Sequence, residues 1–139
     1  MYLLDTNVVS EVRKIKQGKA NPNFVAWFST ISAQDIFINA VVLMEIERGI
    51  LAKEHKDFRQ GAVLRTWLDS VILPTFHGKI LKIDEKTAQI CAKLHIPDHA
   101  PENDAWIAAS AIQHNLTLVT RNSADFARTG VKLFNPFEG

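Results

Sequence analysis

The chain of 139 residues lacks the features that mark several specialised classes of protein. Cys91 is the only cysteine, so an intrachain disulfide is excluded and a reducing compartment is expected. No apolar run approaches the roughly 20 residues that a membrane helix needs. The first apolar stretch begins at residue 2, which leaves no room for a signal peptide. These absences predict a cytoplasmic protein.

An excess of charge of one sign is also missing. The 16 Lys and Arg residues nearly balance the 15 Asp and Glu residues, and the formal net charge is +1. A nucleic-acid partner would therefore have to meet a local basic surface. The candidate phosphate contacts, each of which is otherwise an ordinary solvated side chain, are Arg13, Lys14, Lys16, Lys19, Lys53 and Lys56.

Several catalytic signatures are absent as well. The chain contains no GxGxxG segment and no phosphate-binding P-loop. A haloacid-type phosphatase would carry a second Asp two residues after Asp5, where this chain has Asn7. His95 and His99 are four residues apart, but Pro97 between them breaks the helix that a zinc-binding pair would need. No zinc site is therefore expected.

The chain does contain a regular alternation of short apolar runs and helical patterns. With 47% hydrophobic and 22% charged residues it has a globular composition, and its length suits one domain spanning residues 1–139. Asn23 and Asn103 are expected to cap the second and sixth helices. The alternation predicts a three-layer α/β/α domain with a mainly parallel five-stranded sheet and a helical elaboration after the second strand. Strands are predicted at 2–4, 36–38, 80–83, 116–120 and 131–134, and helices at 8–14, 24–31, 42–56, 58–71, 85–94, 104–114 and 123–128.

Acidic and other polar side chains follow the strands or begin the helices beside them. In a parallel sheet these positions meet at the carboxyl edge, where open α/β folds bind ligands. Carboxylates that share a cleft repel one another, and a hard cation such as Mg²⁺ removes that cost with few protein ligands. Bound there, the ion would orient a phosphodiester and activate a water molecule. The residues concerned are Asp5, Glu45, Asp104, Thr120, Asn122 and Asp125.

Each of these residues also has a purely structural interpretation. Asp5 follows a strand and precedes a helix, so it suits a helix cap. Asp104 suits the first turn of a helix because of the helix dipole. Glu45 suits a solvated helix surface, and Asn122 and Asp125 suit a turn. Spacing alone does not separate these interpretations from a metal site.

Four short segments carry a more specific signal. They are LLDTN at 3–7, MEIERG at 44–49, NDAWIAA at 103–109 and TRN at 120–122, followed by Phe126. In this order and spacing they resemble the successive motifs of PIN domains, in particular the VapC and FitB toxins of bacterial type II toxin–antitoxin systems. The terminal LFNPF at 133–137 is also similar to the end of FitB.

The resemblance implies a Mg²⁺-dependent endoribonuclease, with Mn²⁺ as a substitute ion, that hydrolyses RNA to a 3′-hydroxyl and a 5′-phosphate. It implies that Asp5, Glu45 and Asp104 are catalytic, metal-binding carboxylates. Many members have a fourth acidic residue where this chain has Asn122, so a weaker metal site is expected unless Asp125 compensates. By the same resemblance, Asn7 and Thr120 orient carboxylates or waters around the ion.

The resemblance also implies partners. A small antitoxin would insert a helix into the cleft that the predicted carboxylates form. Operator DNA would be bound only through the antitoxin. A homodimer that forms a larger assembly with the antitoxin is the family expectation. The faces around Trp27, Phe28 and Trp67 are either the antitoxin groove or core. Two alternatives stay open, a PIN fold that binds protein or RNA without cutting and a flap-type DNA nuclease.

Overall fold

A parallel sheet of five strands forms the centre of the computed structural model, which describes residues 1–138. Gly139, the end of the predicted domain, lies outside the described residues. The strands are β1 (Tyr2–Leu4), β2 (Ile36–Asn39), β3 (Ile80–Leu81), β4 (Thr117–Val119) and β5 (Leu133–Phe134). Their order is β3-β2-β1-β4-β5, and every neighbouring pair is parallel. The predicted fold class is confirmed.

Helices connect the strands and complete the layers. They are α1 (Thr6–Ile15), α2 (Pro22–Phe28), α3 (Ala40–Lys56), α4 (Phe58–Trp67), α5 (Leu73–Thr75), α6 (Glu85–Leu94), α7 (Glu102–Gln113) and α8 (Ser123–Phe126). Short 3₁₀ turns cover Ala33–Asp35 and Ala127–Thr129. Among the helices of residues 1–138, none is both long and apolar enough to cross a membrane.

The central strand β1 is the most deeply buried part of the sheet. Leu3 and Leu4 expose no surface, as expected of a strand that lies between two neighbours and is covered on both faces. Val8 and Val9 of α1 are buried beside them. Because the chain leaves this core directly after Leu4, the next residue, Asp5, is held in one place.

Two predicted helix caps are wrong. Asn21, not Asn23, caps α2, because its side-chain oxygen accepts the N–H groups of Asn23 and Phe24. Pro22 takes the first helical position, where a missing N–H costs nothing. Helix α7 begins at Glu102, so Asn103 lies inside the first turn and its side chain is free for another contact.

The helical elaboration after β2 is longer than predicted. Helix α4 continues through a π-helical turn at Leu68–Ile72 into α5, where Pro74 is tolerated near the start. Gly61 of α4 packs so closely on α3 that an added Cβ would lie 2.5 Å from the Cα of Glu54. This contact fixes the elaboration against the helix that carries Glu45.

Candidate functional site

The carboxyl edge of the sheet places the polar side chains predicted from the sequence. Asp5 follows β1, and its backbone N–H donates to the carbonyl oxygen of Val119 in β4 (3.0 Å). Asn39 ends β2, accepts the N–H of Val42 (2.9 Å) and donates to Ser110 Oγ of α7 (2.9 Å). The start of α3 and the body of α7 are therefore tied together beside β1.

Asp5 is both a helix cap and a buried member of the site. Its Oδ1 accepts the N–H of Thr6 (2.8 Å), and its Oδ2 accepts the hydroxyl of Thr120 (2.8 Å). The side-chain amide of Asn7 lies at 3.4 Å from the same Oδ2. Burial raises the pKa of Asp5, the hydrogen bonds from Thr120 and Thr6 oppose that rise, and the charge of Glu45 adds to it.

Glu45 is held through both of its carboxylate oxygens. The hydroxyl of Thr6 donates to Oε1 (2.6 Å), and the side-chain amide of Asn103 donates to Oε2 (3.2 Å). Arg48, one turn further along α3, approaches Oε2 only to 3.9 Å, and its side chain is mostly exposed. Glu45 is thus an oriented carboxylate and not a freely solvated helix residue.

The pKa of Asp104 shows how much negative charge is concentrated at this edge of the sheet. Burial raises the pKa of Asp104 to about 6, and the charges of Asp5, Asp125 and Glu45 add to the effect in that order. Asp125 is therefore close enough to act on both Asp104 and Asp5. We call the four residues Asp5, Glu45, Asp104 and Asp125 the acidic cleft.

The remaining predicted site residues lie at the rim of the acidic cleft. Asn122 is exposed, and its backbone N–H donates to Thr120 Oγ1 (3.0 Å), so Thr120 links the chain after β4 to Asp5. Asn7 Oδ1 lies 3.5 Å from the backbone nitrogen of Arg121. These contacts fix the position of Asp5, whereas the described contacts give the side chain of Asn122 no role.

The donor set of the acidic cleft fits a hard divalent cation. Within residues 1–138, neither Asp5 nor Asp104 forms an ion pair with a Lys, Arg or His side chain. Within the same residues, no three acidic side chains of the cleft have ligand oxygens that all lie within 4.8 Å of one another. An ion held there would therefore contact one or two of the carboxylates directly and the others through water, which Mg²⁺ allows because it keeps several waters.

Two residues that hold the acidic cleft together were missed by sequence reasoning. Thr6 belongs to the LLDTN segment, but the sequence pattern assigns it no role, and Asn103 is expected from the sequence to cap a helix. Both donate to Glu45, which lies far away in the sequence. The only local signal was that each polar residue stands directly next to a predicted carboxylate.

Comparison with known proteins agrees with this architecture. The sequence profile of the PIN domain matches residues 2–132 of the chain. The chain belongs to the PIN-domain family. It is similar to toxin FitB of Neisseria gonorrhoeae, with 35% identity over 142 residues that cover 99% of each chain. It is also similar to VapC ribonuclease Y4jK of Sinorhizobium fredii, with 27% identity and 99% coverage of both.

Solved structures extend the likeness to three dimensions. The crystal structure of FitAcB from Neisseria gonorrhoeae superposes with a TM-score of 0.89 at 33% identity, with 100% of both chains covered. Further similar structures are toxin–antitoxin complexes, and some of them were solved with bound DNA. The PIN fold of this chain is thus the one found in FitB- and VapC-type toxins.

A groove runs from the acidic cleft of this PIN domain across α1, α3 and α4. It has a volume of about 330 Å³ and is lined by Thr6, Ser10, Arg13, Lys14, Glu45, Ile46, Gly49, Ile50, Leu64 and Trp67. Trp67 therefore faces the groove, whereas Trp27 and Phe28 pack against Phe24 in an aromatic cluster of the core. Lys53 and Lys56 line a separate opening at the end of α3, and Lys16 and Lys19 are exposed.

Proposed function

We propose that the chain is the toxin of a toxin–antitoxin pair and acts as a Mg²⁺-dependent endoribonuclease. The observation that carries the proposal is that neither Asp5 nor Asp104 has a cationic partner within residues 1–138, and that burial and like charges raise the pKa of Asp104 to about 6. A monomer that keeps such repulsion at its sheet edge loses stability unless a cation binds there. The family and the ribonuclease name of the relative Y4jK support this interpretation.

Asp5, Glu45 and Asp104 are the residues that would hold the ion, one or two of them directly and the rest through its waters. A bound Mg²⁺ supplies charge stabilisation for the phosphoryl group and lowers the pKa of a water molecule. Thr120 and the Thr6 N–H fix the two oxygens of Asp5, and Thr6 and Asn103 fix those of Glu45. The carboxylates are therefore oriented before substrate arrives, which lowers the cost of reorganisation.

The chain's own residues also supply what RNA binding requires. Arg13 and Lys14 line the same groove as Glu45, so a phosphodiester lying on the acidic cleft meets positive charge on one side. Hydrolysis breaks the bond between phosphorus and the 3′-oxygen, leaving a 3′-hydroxyl and a 5′-phosphate. Mn²⁺ would replace Mg²⁺, since it accepts the same oxygen ligands.

The groove beside the acidic cleft is the proposed binding site of the antitoxin. Leu64 and Trp67 offer apolar surface, while Glu45 at its end attracts a basic side chain of the partner. A helix bound there would block both the ion and the RNA. Operator DNA would be bound through the antitoxin, as the similar DNA-bound complexes suggest. We include a homodimer in the proposal as a family expectation.

A cleavage assay on the purified chain tests the enzyme. Wild-type protein is expected to cut RNA when Mg²⁺ is added and to stop when the ion is chelated, and Asp5→Asn should be inactive but folded by circular dichroism. Asp69→Asn, which changes an exposed aspartate on another surface, is the matched control and should cut normally. Equal activity of Asp5→Asn and wild type would indicate a contaminating nuclease and overturn the proposal.

The same assay separates the two alternatives. RNA that is bound but left intact by wild-type protein in saturating Mg²⁺ or Mn²⁺ would assign the chain to the non-cleaving binding class. Faster cleavage of flap DNA than of single-stranded RNA would assign it to the DNA nucleases. Asn122 is the residue that keeps the first alternative open, because the amide adds no charge at the fourth position.

A further inference from the structure

A second group of side chains of the types that bind metal ions lies at the turn between α6 and α7. His95 follows α6, His99 lies in the turn, and Glu102 begins α7. The imidazole rings have centroids 4.3 Å apart, and one ligand atom from each of the three residues lies within 4.8 Å of the other two. Pro97 lies outside any helix, as the sequence predicts, but the turn nevertheless returns His99 to His95, so the two histidines come together without a helix.

The peptide unit of Ala100 orients both rings. His99 Nδ1 lies 3.0 Å from the carbonyl oxygen of Ala100, so it carries the proton and donates, and Nε2 keeps a free lone pair. His95 Nδ1 accepts the N–H of Ala100 (3.1 Å), which places the proton of the neutral ring on Nε2. That Nε2 lies 3.8 Å from Glu102 Oε2 and 3.9 Å from Cys91 Sγ.

We propose that His95, His99 and Glu102 form a binding site for a divalent transition-metal ion of the Zn²⁺ type. Two imidazole nitrogens and one carboxylate oxygen are a common ligand set for Zn²⁺, and they suit Mg²⁺ poorly. Three protein ligands at an accessible turn leave a coordination position for water. When the ion binds His95 Nε2, the proton of that ring moves to Nδ1 and the Ala100 N–H loses its acceptor.

Cys91 is a neighbour of the ion and not a ligand. Its side chain is buried, and burial together with the charge of Glu102 raises the pKa of its thiol, which disfavours the thiolate. Entry to the site is through Glu102, whose side chain is 61% exposed, whereas that of His95 is 15% exposed. The ion therefore reaches a half-buried histidine from the solvent side.

The site is separate from the acidic cleft although the two are close in sequence. Glu102 and Asp104 are two positions apart in α7, a spacing that puts side chains on different faces of a helix. An ion at the histidine site joins the turn at 95–101 to the first turn of α7. Its expected effect is to stabilise that turn, and it does not depend on RNA cleavage.

Zinc titration of the full chain tests the site, with a chromogenic chelator as competitor. The titration is done in Asp104→Asn protein, so that Zn²⁺ cannot be held by the complete acidic cleft. One equivalent of Zn²⁺ should bind, and adding His99→Gln should weaken binding on the order of tenfold or more. Adding His77→Gln, which removes an exposed histidine elsewhere, should leave the affinity unchanged.

Two further measurements keep the test decisive. The backbone amide resonance of Ala100 should shift on Zn²⁺ addition and not on Mg²⁺ addition. His95→Gln should also weaken Zn²⁺ binding. If that variant fails to fold, His99→Gln and Glu102→Gln, which change exposed side chains, replace it. Absence of a Zn²⁺ equivalent in the Asp104→Asn protein, or unchanged affinity in both exposed variants, overturns the proposal.

Discussion

The acidic cleft and a second group of charges on the neighbouring helices use the same residue types in opposite ways. In the second group, which we call the arginine clamp, Arg65 of α4 contacts Glu47 and Glu54 of α3. The Arg65 Nη1–Glu47 Oε2 distance is 2.6 Å, and two nitrogens of Arg65 donate to Glu54 at 3.0 and 3.2 Å. Each carboxylate there has its cation within the chain.

The pKa shifts of the two regions differ in sign for this reason. The hydrogen bonds and charge of Arg65 lower the pKa of Glu54, whereas burial and like charges raise the pKa of Asp5 and Asp104. The arginine clamp is electrostatically complete and joins two helices. In the acidic cleft, Asp5 and Asp104 have no such cation within residues 1–138, which is the physical reason to propose function there.

The largest expected effect follows from removing one charge of the acidic cleft. Asp104→Asn should lower RNA cleavage on the order of a hundredfold or more, since a ligand of the ion contributes several kcal/mol of charge stabilisation in the transition state. Glu54→Gln in the arginine clamp is the matched control and should cut RNA normally. Single-turnover rates at saturating Mg²⁺ measure both, and equal losses in the two variants would contradict the distinction.

The pH dependence of stability should follow the raised pKa of Asp104. Between its ordinary value of 3.8 and about 6, the unfolded chain has released a proton that the folded chain still holds. The free energy of unfolding should therefore fall as pH rises through this window, by on the order of 1 kcal/mol because water screens this partly exposed side chain, and then level off. Urea titrations of metal-free protein at pH 4, 5, 6 and 7 measure the slope.

Two controls isolate the source of that slope. Asp104→Asn should flatten most of the fall between pH 4 and 6, because the variant has no proton to release at this position. Saturating Mg²⁺ should restore stability at pH 7 in wild-type protein and have little effect in the variant. A slope that survives Asp104→Asn would place the titrating group outside the acidic cleft.

A smaller effect is expected from loosening Glu45 without removing its charge. Thr6→Val deletes the hydroxyl that donates to Glu45 Oε1 and leaves the backbone N–H that donates to Asp5 Oδ1. Mg²⁺ affinity should fall by about 10–100-fold, as is usual for groups that orient a ligand. Thr6→Ser keeps the hydroxyl and should restore most of the affinity. Isothermal titration of Mg²⁺ into the three proteins decides the point.

The contrast between the two regions also shows how far the sequence alone could predict the site. The positions of the carboxylates Asp5 and Glu45 at the sheet edge are predictable because strand ends and helix starts follow from local patterns. The donors Thr6 and Asn103 were not assigned because their partner lies 39 and 58 positions away in the sequence. Side chains that act across the fold leave no periodic signal along the chain.

The proximity of His95 and His99 could not be predicted from the sequence for the same reason. The sequence showed that Pro97 excludes a helical pair of histidines, and it does, but the path of the turn that brings His95 and His99 together is set by α6 and α7. Strand and helix order, by contrast, were predictable because they depend on hydrophobic patterns within each element. Helix caps lie between these cases, and Asn21 in place of Asn23 is an error of two residues.

Restoring charge at the fourth position should produce a modest gain. Asn122→Asp places a carboxylate on the exposed residue that follows Thr120 and Arg121, close to the chain that carries Asp125. Mg²⁺ affinity should rise by up to about tenfold, since one more charge at a partly solvated site adds on the order of 1 kcal/mol. The metal-free variant should also be less stable at pH 7 than at pH 5. Unchanged Mg²⁺ affinity would indicate that Asp125 already fills this role.

The smallest effect on metal binding is expected when the arginine clamp is broken. Arg65→Met leaves Glu47 and Glu54 without their cation, so this variant converts the complete region into a second pair of uncompensated carboxylates. Thermal stability should fall, because α3 and α4 lose their charged contact. Mg²⁺ affinity and RNA cleavage should stay as in the wild type.

The reason for this difference is burial and not the number of charges. The side chains of Glu47 and Glu54 are 42% and 30% exposed, whereas Asp5 is 6% exposed, so water screens the first two carboxylates far more than it screens Asp5. Repulsion in the broken clamp is therefore weak, and no cation is needed to relieve it. If Arg65→Met instead bound an additional Mg²⁺ as tightly as the acidic cleft, uncompensated charge alone would be sufficient for a metal site, and the buried position after β1 would lose its special role.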